Sequence, residues 1–149
     1  MLKRLALLTT TLLTLSYSHA TEWFELTQSD EKKYYASPEH LNPLSRSSGQ
    51  ATELEMWVKA VIYNDLTKDG MTINDYQMTL YKIDCRNREF GIKQSISYNA
   101  KGKMLDSNSA TSVTMNKTIP ETIGSSIVAN GCAALDIYNH PQKIYLKNL

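Results

Sequence analysis

The stretch LYKIDCRNREFGI, residues 80–92, holds the first of only two cysteines in a chain of 149 residues. Around it apolar and polar side chains alternate: Tyr81, Ile83 and Cys85 fall on one side, Lys82 and Asp84 on the other. A period of two is the signature of a half-covered strand. Arg86-Asn87-Arg88 then reads as a turn, and a second strand-like run opens at Phe90. The other cysteine, Cys132, lies 47 positions further on. What those two sulfurs do depends on where the chain resides.

The first twenty residues, MLKRLALLTTTLLTLSYSHA, have three parts. Lys3 and Arg4 are a short positive start, residues 5–15 are an apolar region softened by Thr, and Ser18-His19-Ala20 places small residues at −3 and −1 before Thr21. That pattern predicts a secretory signal peptide over 1–20. A membrane anchor would need an apolar run of roughly 20 residues, and this one is shorter. No cysteine follows the expected cleavage site, so a lipid anchor is not expected there, nor is a transmembrane segment after cleavage. Removing Lys3 and Arg4 takes the 16 basic residues to 14 against 15 acidic ones, so the formal charge moves from +1 to −1. Nucleic-acid binding normally requires a basic surplus, so no nucleic-acid partner is expected.

In an exported chain an even number of cysteines reads as paired, and two cysteines allow only Cys85–Cys132 within one chain. The competing readings are a catalytic thiol, for which neither His40 nor His140 lies in a recognisable motif, and a zinc site, which would need more ligands at closer spacing.

From residue 54 to 64 the alternation is strongest. Leu54, Met56, Val58, Ala60 and Ile62 share one face; Glu55, Trp57, Lys59, Val61 and Tyr63 share the other, whose mix of charge and aromatics predicts partial cover. Residues 22–27 and 32–36 read as a strand pair around a Ser29-Asp30 turn, ended by Pro38, with 39–52 a loop rich in Ser, Pro, Asn and Gly. Residues 65–74 form a polar connection with Asp69-Gly70 at its turn, and alternation resumes over 75–86, with Met78 and Leu80 opposite Tyr81. Phe90, Ile92, Ile96 and Tyr98 are expected to form one apolar side of the next strand. Residues 105–112 are expected to be exposed, and 113–118 to add a short edge strand.

After Pro120 the rhythm changes. Ile123, Ile127, Val128, Cys132 and Leu135 recur at helical spacing, with Thr118 or Ile119 as candidate N-cap, Pro120 at the first helical position and Glu121 in the first turn. Gly124 and Gly131 weaken such a helix but permit close approach to another surface. The expected fold is therefore α+β: a twisted antiparallel sheet of five or six strands with a C-terminal helix tethered to one face by the disulfide. Tyr81 and Ile83 should lie beneath or beside the helix. The chain divides into a signal peptide (1–20), one domain (21–137) and a tail (138–149) interrupted by Pro141.

The combination resembles the surface-adhesin protein E family of Gram-negative bacteria. The matching pieces are Glu22-Trp23, Tyr34-Tyr35, Trp57-Val58-Lys59, Leu80-Tyr81-Lys82-Ile83-Asp84-Cys85 with a following Tyr98 strand, and Ile119-Pro120-Glu121-Thr122-Ile123-Gly124 leading to Cys132. The resemblance covers 22–135. It implies an antiparallel sheet with a disulfide-tethered helix, location in the periplasm or on the cell surface, binding to host extracellular-matrix or envelope proteins, and dimerisation through sheet edges. The chain lacks the lipid-accepting cysteine of the adhesins, and residues 74–79 carry no Lys or Arg where the adhesin is basic.

No motif for catalysis, a cofactor or a metal is present. Asp69 and Asp75 read as turn residues rather than a calcium or acid–base pair, and His40 as a solvated loop residue. Trp23 and Trp57 are read first as core and second as anchors for a partner. Arg86 and Arg88, with Lys93 and Lys101 nearby, read as a soluble turn first and a basic patch second. Trp57, Tyr81, Arg86, Arg88 and Lys93 are thus the candidate binding surface of a non-enzymatic domain, acting through sheet-face aromatics or a strand edge. The alternative is a periplasmic small-ligand carrier or envelope-stress accessory protein with an apolar cavity near Tyr81 and Gly131.

Overall fold

The alternation of residues 54–62 becomes the centre of a sheet. The computed structural model describes residues 21–44 and 49–141, so the signal-peptide reading and most of the tail lie outside the described residues. Its strands are β1 (Phe24–Gln28), β2 (Lys32–Leu44), β3 (Glu53–Ile62), β4 (Tyr76–Asp84), β5 (Glu89–Tyr98), β6 (Met104–Ser109) and the two-residue β7 (Asn116–Lys117), followed by the helix α1 (Ile123–Asn139). Strands β1 to β6 pair in sequence order, all antiparallel, and β7 pairs with β5 beyond the end of β6.

Pairing register fixes the two faces. On the inner face Leu54, Met56, Val58, Ala60 and Ile62 are all buried. Met56 stands opposite Leu41 on β2 and Tyr81 on β4, and Leu54 opposite Pro43 and Ile83. The helix lays Ile127, Val128, Gly131 and Leu135 onto this face. Leu54, Ile83 and Ile127 are essentially inaccessible to solvent. Each buried aliphatic side chain of this size contributes about 1.5–3 kcal/mol through loss of apolar hydration.

Two bulges depart from the expected pattern. Pro38 does not end β2: the strand continues to Leu44 after an irregularity between Ala36 and Leu41. Strand β1 pairs only as far as Ala36, so beyond it β2 has a free edge on which Pro38 and Pro43 forfeit no ladder bond. The second bulge falls in β5. Leu80 pairs with Gln94 and Tyr81 with Ile92, so Lys93 is the extra residue. An inserted residue reverses the alternation beyond it. Phe90 and Ile92 therefore share the inner face, while Ile96 and Tyr98 lie on the outer one, which corrects the expectation that all four share a side.

The helix also begins later than expected. Thr122 is the N-cap: its hydroxyl accepts from Ser125 N at 3.2 Å, and the Ser125 hydroxyl accepts from Thr122 N at 3.2 Å. A reciprocal cap satisfies two otherwise orphaned amides. Pro120 lies outside the helix, and Glu121 takes a left-handed φ of 59° just before the cap. At the far end α1 runs two residues into the stretch read as tail, and the Asn139 side chain clasps the backbone of Ala51, accepting from its N and donating to its O.

Cys85, the first residue after β4, is bonded to Cys132, with Cα atoms 5.5 Å apart. Immediately before the bridge residue, at Gly131, and about two turns earlier, at Gly124, the helix backbone comes close to the sheet. A methyl group at Gly131 would sit 3.0 Å from Ile83 Cδ1 and 3.3 Å from Met56 Cε, and one at Gly124 would press on the Phe90 ring at 2.8 Å.

Replacing both cysteines by alanine should lower unfolding free energy by about 4 kcal/mol, the loop-closure value for a bridge of this span. Denaturant titration of the oxidised domain and the double variant measures it. Gly131→Val should cost about 1–3 kcal/mol by overpacking; equal stability of the two proteins would show that the helix can lift off without loss.

Candidate functional site

The outer face of the sheet carries no helix or strand among the described residues, because α1 occupies the inner face. An antiparallel sheet wet on one side ordinarily shows polar side chains there. Here register brings Trp57 beside Leu80, Met78 beside Ile96, and Tyr76 beside Tyr98. All six are half-buried, by one another rather than by a covering layer. The Tyr76 and Tyr98 rings stack with centroids 5.1 Å apart and planes 17° from parallel.

Trp23 joins this face from the chain entering β1. Its ring lies 5.3 Å from that of His40, and Lys59 Nζ stands 5.8 Å from its centroid. Lys59 Nζ is also 4.5 Å above the Tyr76 ring. His40 is thus a strand residue half-buried against an indole, not a solvated loop residue. Both tryptophans are half-buried and neither belongs to the core cluster, which corrects the first reading of both as core residues. Where the β2 irregularity widens the surface, Glu39, His40, Asn42, Glu55, Trp57 and Leu80 line a shallow depression of about 320 Å³.

The other lysines of this face are neutralised locally. Lys93 Nζ meets Glu55 Oε1 at 2.6 Å, Lys82 meets Glu53 at 3.4 Å and Lys33 meets Glu25 at 3.4 Å.

The five residues expected to form one binding surface do not converge. Trp57 points outward. Tyr81 points inward, opposite Met56, with its ring 5.9 Å from that of Phe90. Burial, with a smaller contribution from Tyr34, pushes its phenol up to about 12. Arg86 and Arg88 sit exposed in the β4–β5 turn, whose shape is set by Asp84: Oδ1 accepts from Arg86 N at 2.9 Å and Asn87 N at 3.1 Å. Lys93 occupies the bulge on the outer side, held by Glu55. Tyr76, Tyr98 and Lys59 are not among the binding residues expected from the sequence, since only cross-strand register shows that they meet.

One end of the outer face is tied down by Asp75. Its Oδ1 accepts from Ala100 N at 2.8 Å, and its Oδ2 from Thr72 N at 2.8 Å and the Thr72 hydroxyl at 3.2 Å. These bonds fix the ends of β4 and β5 next to the tyrosine stack. The Thr72 amide chiefly, then the Ala100 amide and the Thr72 hydroxyl, hold the carboxyl below the usual carboxylate range against the opposing effect of burial. A carboxyl depressed on folding stabilises the fold above its unfolded value, about 3.9, and that stabilisation is lost as pH falls through the folded value. Thermal unfolding of Asp75→Asn between pH 7 and pH 2 should show a lower midpoint than wild type near neutrality and a shallower fall in acid; parallel curves would mean that the carboxylate is not what ties this end.

The described residues contain no group of three or more His, Cys, Asp or Glu side chains that could hold a metal ion, and no helix long and apolar enough to cross a membrane. No family model, no curated protein and no solved structure matches the chain.

Proposed function

We propose that this is an exported, non-catalytic binding domain whose outer sheet face takes a protein partner at the cell envelope or surface. The observation that carries the reading is the apolar character of a sheet face that no other element covers among the described residues. Trp57, Leu80, Met78, Ile96, Tyr76 and Tyr98 form one band where polar residues would serve solubility better. Contiguous apolar bands rimmed by charge mark interaction surfaces, and aromatic residues dominate the binding energy of such surfaces. Export is supported by the signal-like first twenty residues together with the Cys85–Cys132 bridge, since such bridges persist in oxidising compartments. The resemblance to surface-adhesin protein E points to extracellular-matrix or envelope proteins as the class of partner.

A second reading has its own observation. Phe24, Leu26, Leu41, Ala134 and Ile137 line an apolar groove of about 260 Å³ between β1, β2 and the end of the helix. Tyr81 and Gly131 do not line it, but Met56, which faces both, and Asn130 do, so it borders the place where helix and sheet touch directly. A periplasmic carrier of small apolar ligands or an envelope-stress accessory would use this groove, and the outer face would then be inert.

A photo-crosslinking side chain placed at position 80, in the oxidised domain spanning 21–149, should capture a saturable partner from matrix or envelope protein preparations. The same probe at Tyr138, exposed on the helix, should not. Trp57→Ala should weaken that complex by about 2 kcal/mol or more. Capture from position 138 alone, or equal affinity of the variant, would move the site off this face.

A further inference from the structure

We infer that the outer face recognises a polypeptide segment presenting a carboxylate side chain beside an apolar one, with the carboxylate seated on Lys59. This rests on the outer face being the docking surface. Strands β2 to β5 place four lysines on it: Lys33, Lys59, Lys82 and Lys93. Three bring their own counter-ions, Glu25, Glu53 and Glu55. Lys59 has no acidic partner among the described residues. Its direct cross-strand neighbours are Tyr35 on β2 and Met78 on β4, neither of them a carboxylate.

Instead the ammonium is held between aromatic rings, 4.5 Å from the centroid of Tyr76 and 5.8 Å from that of Trp23. The rings attract a cation but leave its charge in place. They also restrict a long, flexible side chain before any partner arrives, which lowers the entropic cost of using it. A partner that covered the apolar band without supplying an anion here would bury an uncompensated charge, which is strongly unfavourable. A partner that supplies one converts the same site into an attraction and a register mark. One ammonium, with no arginine beside it among the described residues, matches the single charge of a carboxylate. Phosphate recognition favours arginine forks or several cations, and Arg86 and Arg88 are away in the β4–β5 turn. The flanking apolar side chain would rest on the Met78–Ile96 or Trp57–Leu80 pair.

The test is selection from a random peptide display library on the oxidised domain 21–149, in parallel on Lys59→Met and on Met78→Glu. The second variant keeps Lys59 but gives it an acid directly across the strand pair. Thermal unfolding checks that all three proteins fold. Wild type should enrich peptides with Asp or Glu next to an apolar residue. A synthetic peptide of that sequence should bind both variants about tenfold more weakly or worse. Enrichment of neutral or basic peptides, or undiminished binding to Lys59→Met, overturns the inference. If those peptides still fail on Leu80→Asp, the face remains the docking surface and only the carboxylate assignment falls. If they bind Leu80→Asp undiminished, or if no peptide is selected, the outer face as a polypeptide site falls as well. Retention on an anionic polysaccharide column that depends on Lys59, without peptide selection, replaces the polypeptide by an acidic glycan and also overturns it.

Discussion

The contact between Gly131 and the side chains of Ile83, Met56 and Leu54, closed by the neighbouring Cys85–Cys132 bridge, is what the architecture depends on. A helix of seventeen residues with glycines at 124 and 131 is marginal in water by itself. Its stability comes from the sheet, and the sheet's inner face is shielded by little else. The glycine at 131 removes a side chain that would hold the two layers apart there, as the glycine at 124 does against Phe90. The sulfurs then keep the helix near its seat in the unfolded ensemble as well, so the layers do not search for one another. Thr122 at one end and Asn139 at the other settle the helix ends in register.

Among the described residues one helix on one face leaves the other face open, and the two faces follow different rules. The inner face is filled by aliphatic side chains that interlock with the helix, and the phenol of Tyr81 is driven far from ionisation there. The outer face is built from flat rings and long side chains that shelter one another only in part. Its charges are matched at the margins, while its centre holds a lysine among aromatics. Such a surface has apolar area left to bury.

Much of this was legible in the sequence. The strict alternation of residues 54–62 named the inner residues of β3, and the helical recurrence of Ile127, Val128, Cys132 and Leu135 named the packed face of α1. Both signals survive because each element is regular from end to end. The parity change in β5 was hidden: Phe90, Ile92, Ile96 and Tyr98 are evenly spaced, and only the pairing of Leu80 with Gln94 and Tyr81 with Ile92 shows that Lys93 intervenes. Pro38 read as a terminator because a proline's cost depends on whether its neighbour strand is present, which composition does not state. The helix start was misplaced because Pro120 carries a general preference for first-turn positions, whereas the Thr122–Ser125 exchange of hydrogen bonds decided the matter locally. At the candidate site, Trp57 could be named from its strand, but the grouping of Lys59, Tyr76, Tyr98 and Trp23 is a product of register and of the β2 irregularity.

The covalent link also has a mechanical meaning. It closes the chain between 85 and 132 into a ring that contains β5, β6 and β7. A pull applied at the two ends of the domain runs through the sulfurs and bypasses that ring. The 47 positions it encloses would otherwise add roughly 160 Å of extensible chain. Under tension the domain can therefore shed β1 to β4 or the part of the helix after Cys132, but β5, β6, β7 and the start of the helix stay outside the line of load until a sulfur–sulfur bond breaks.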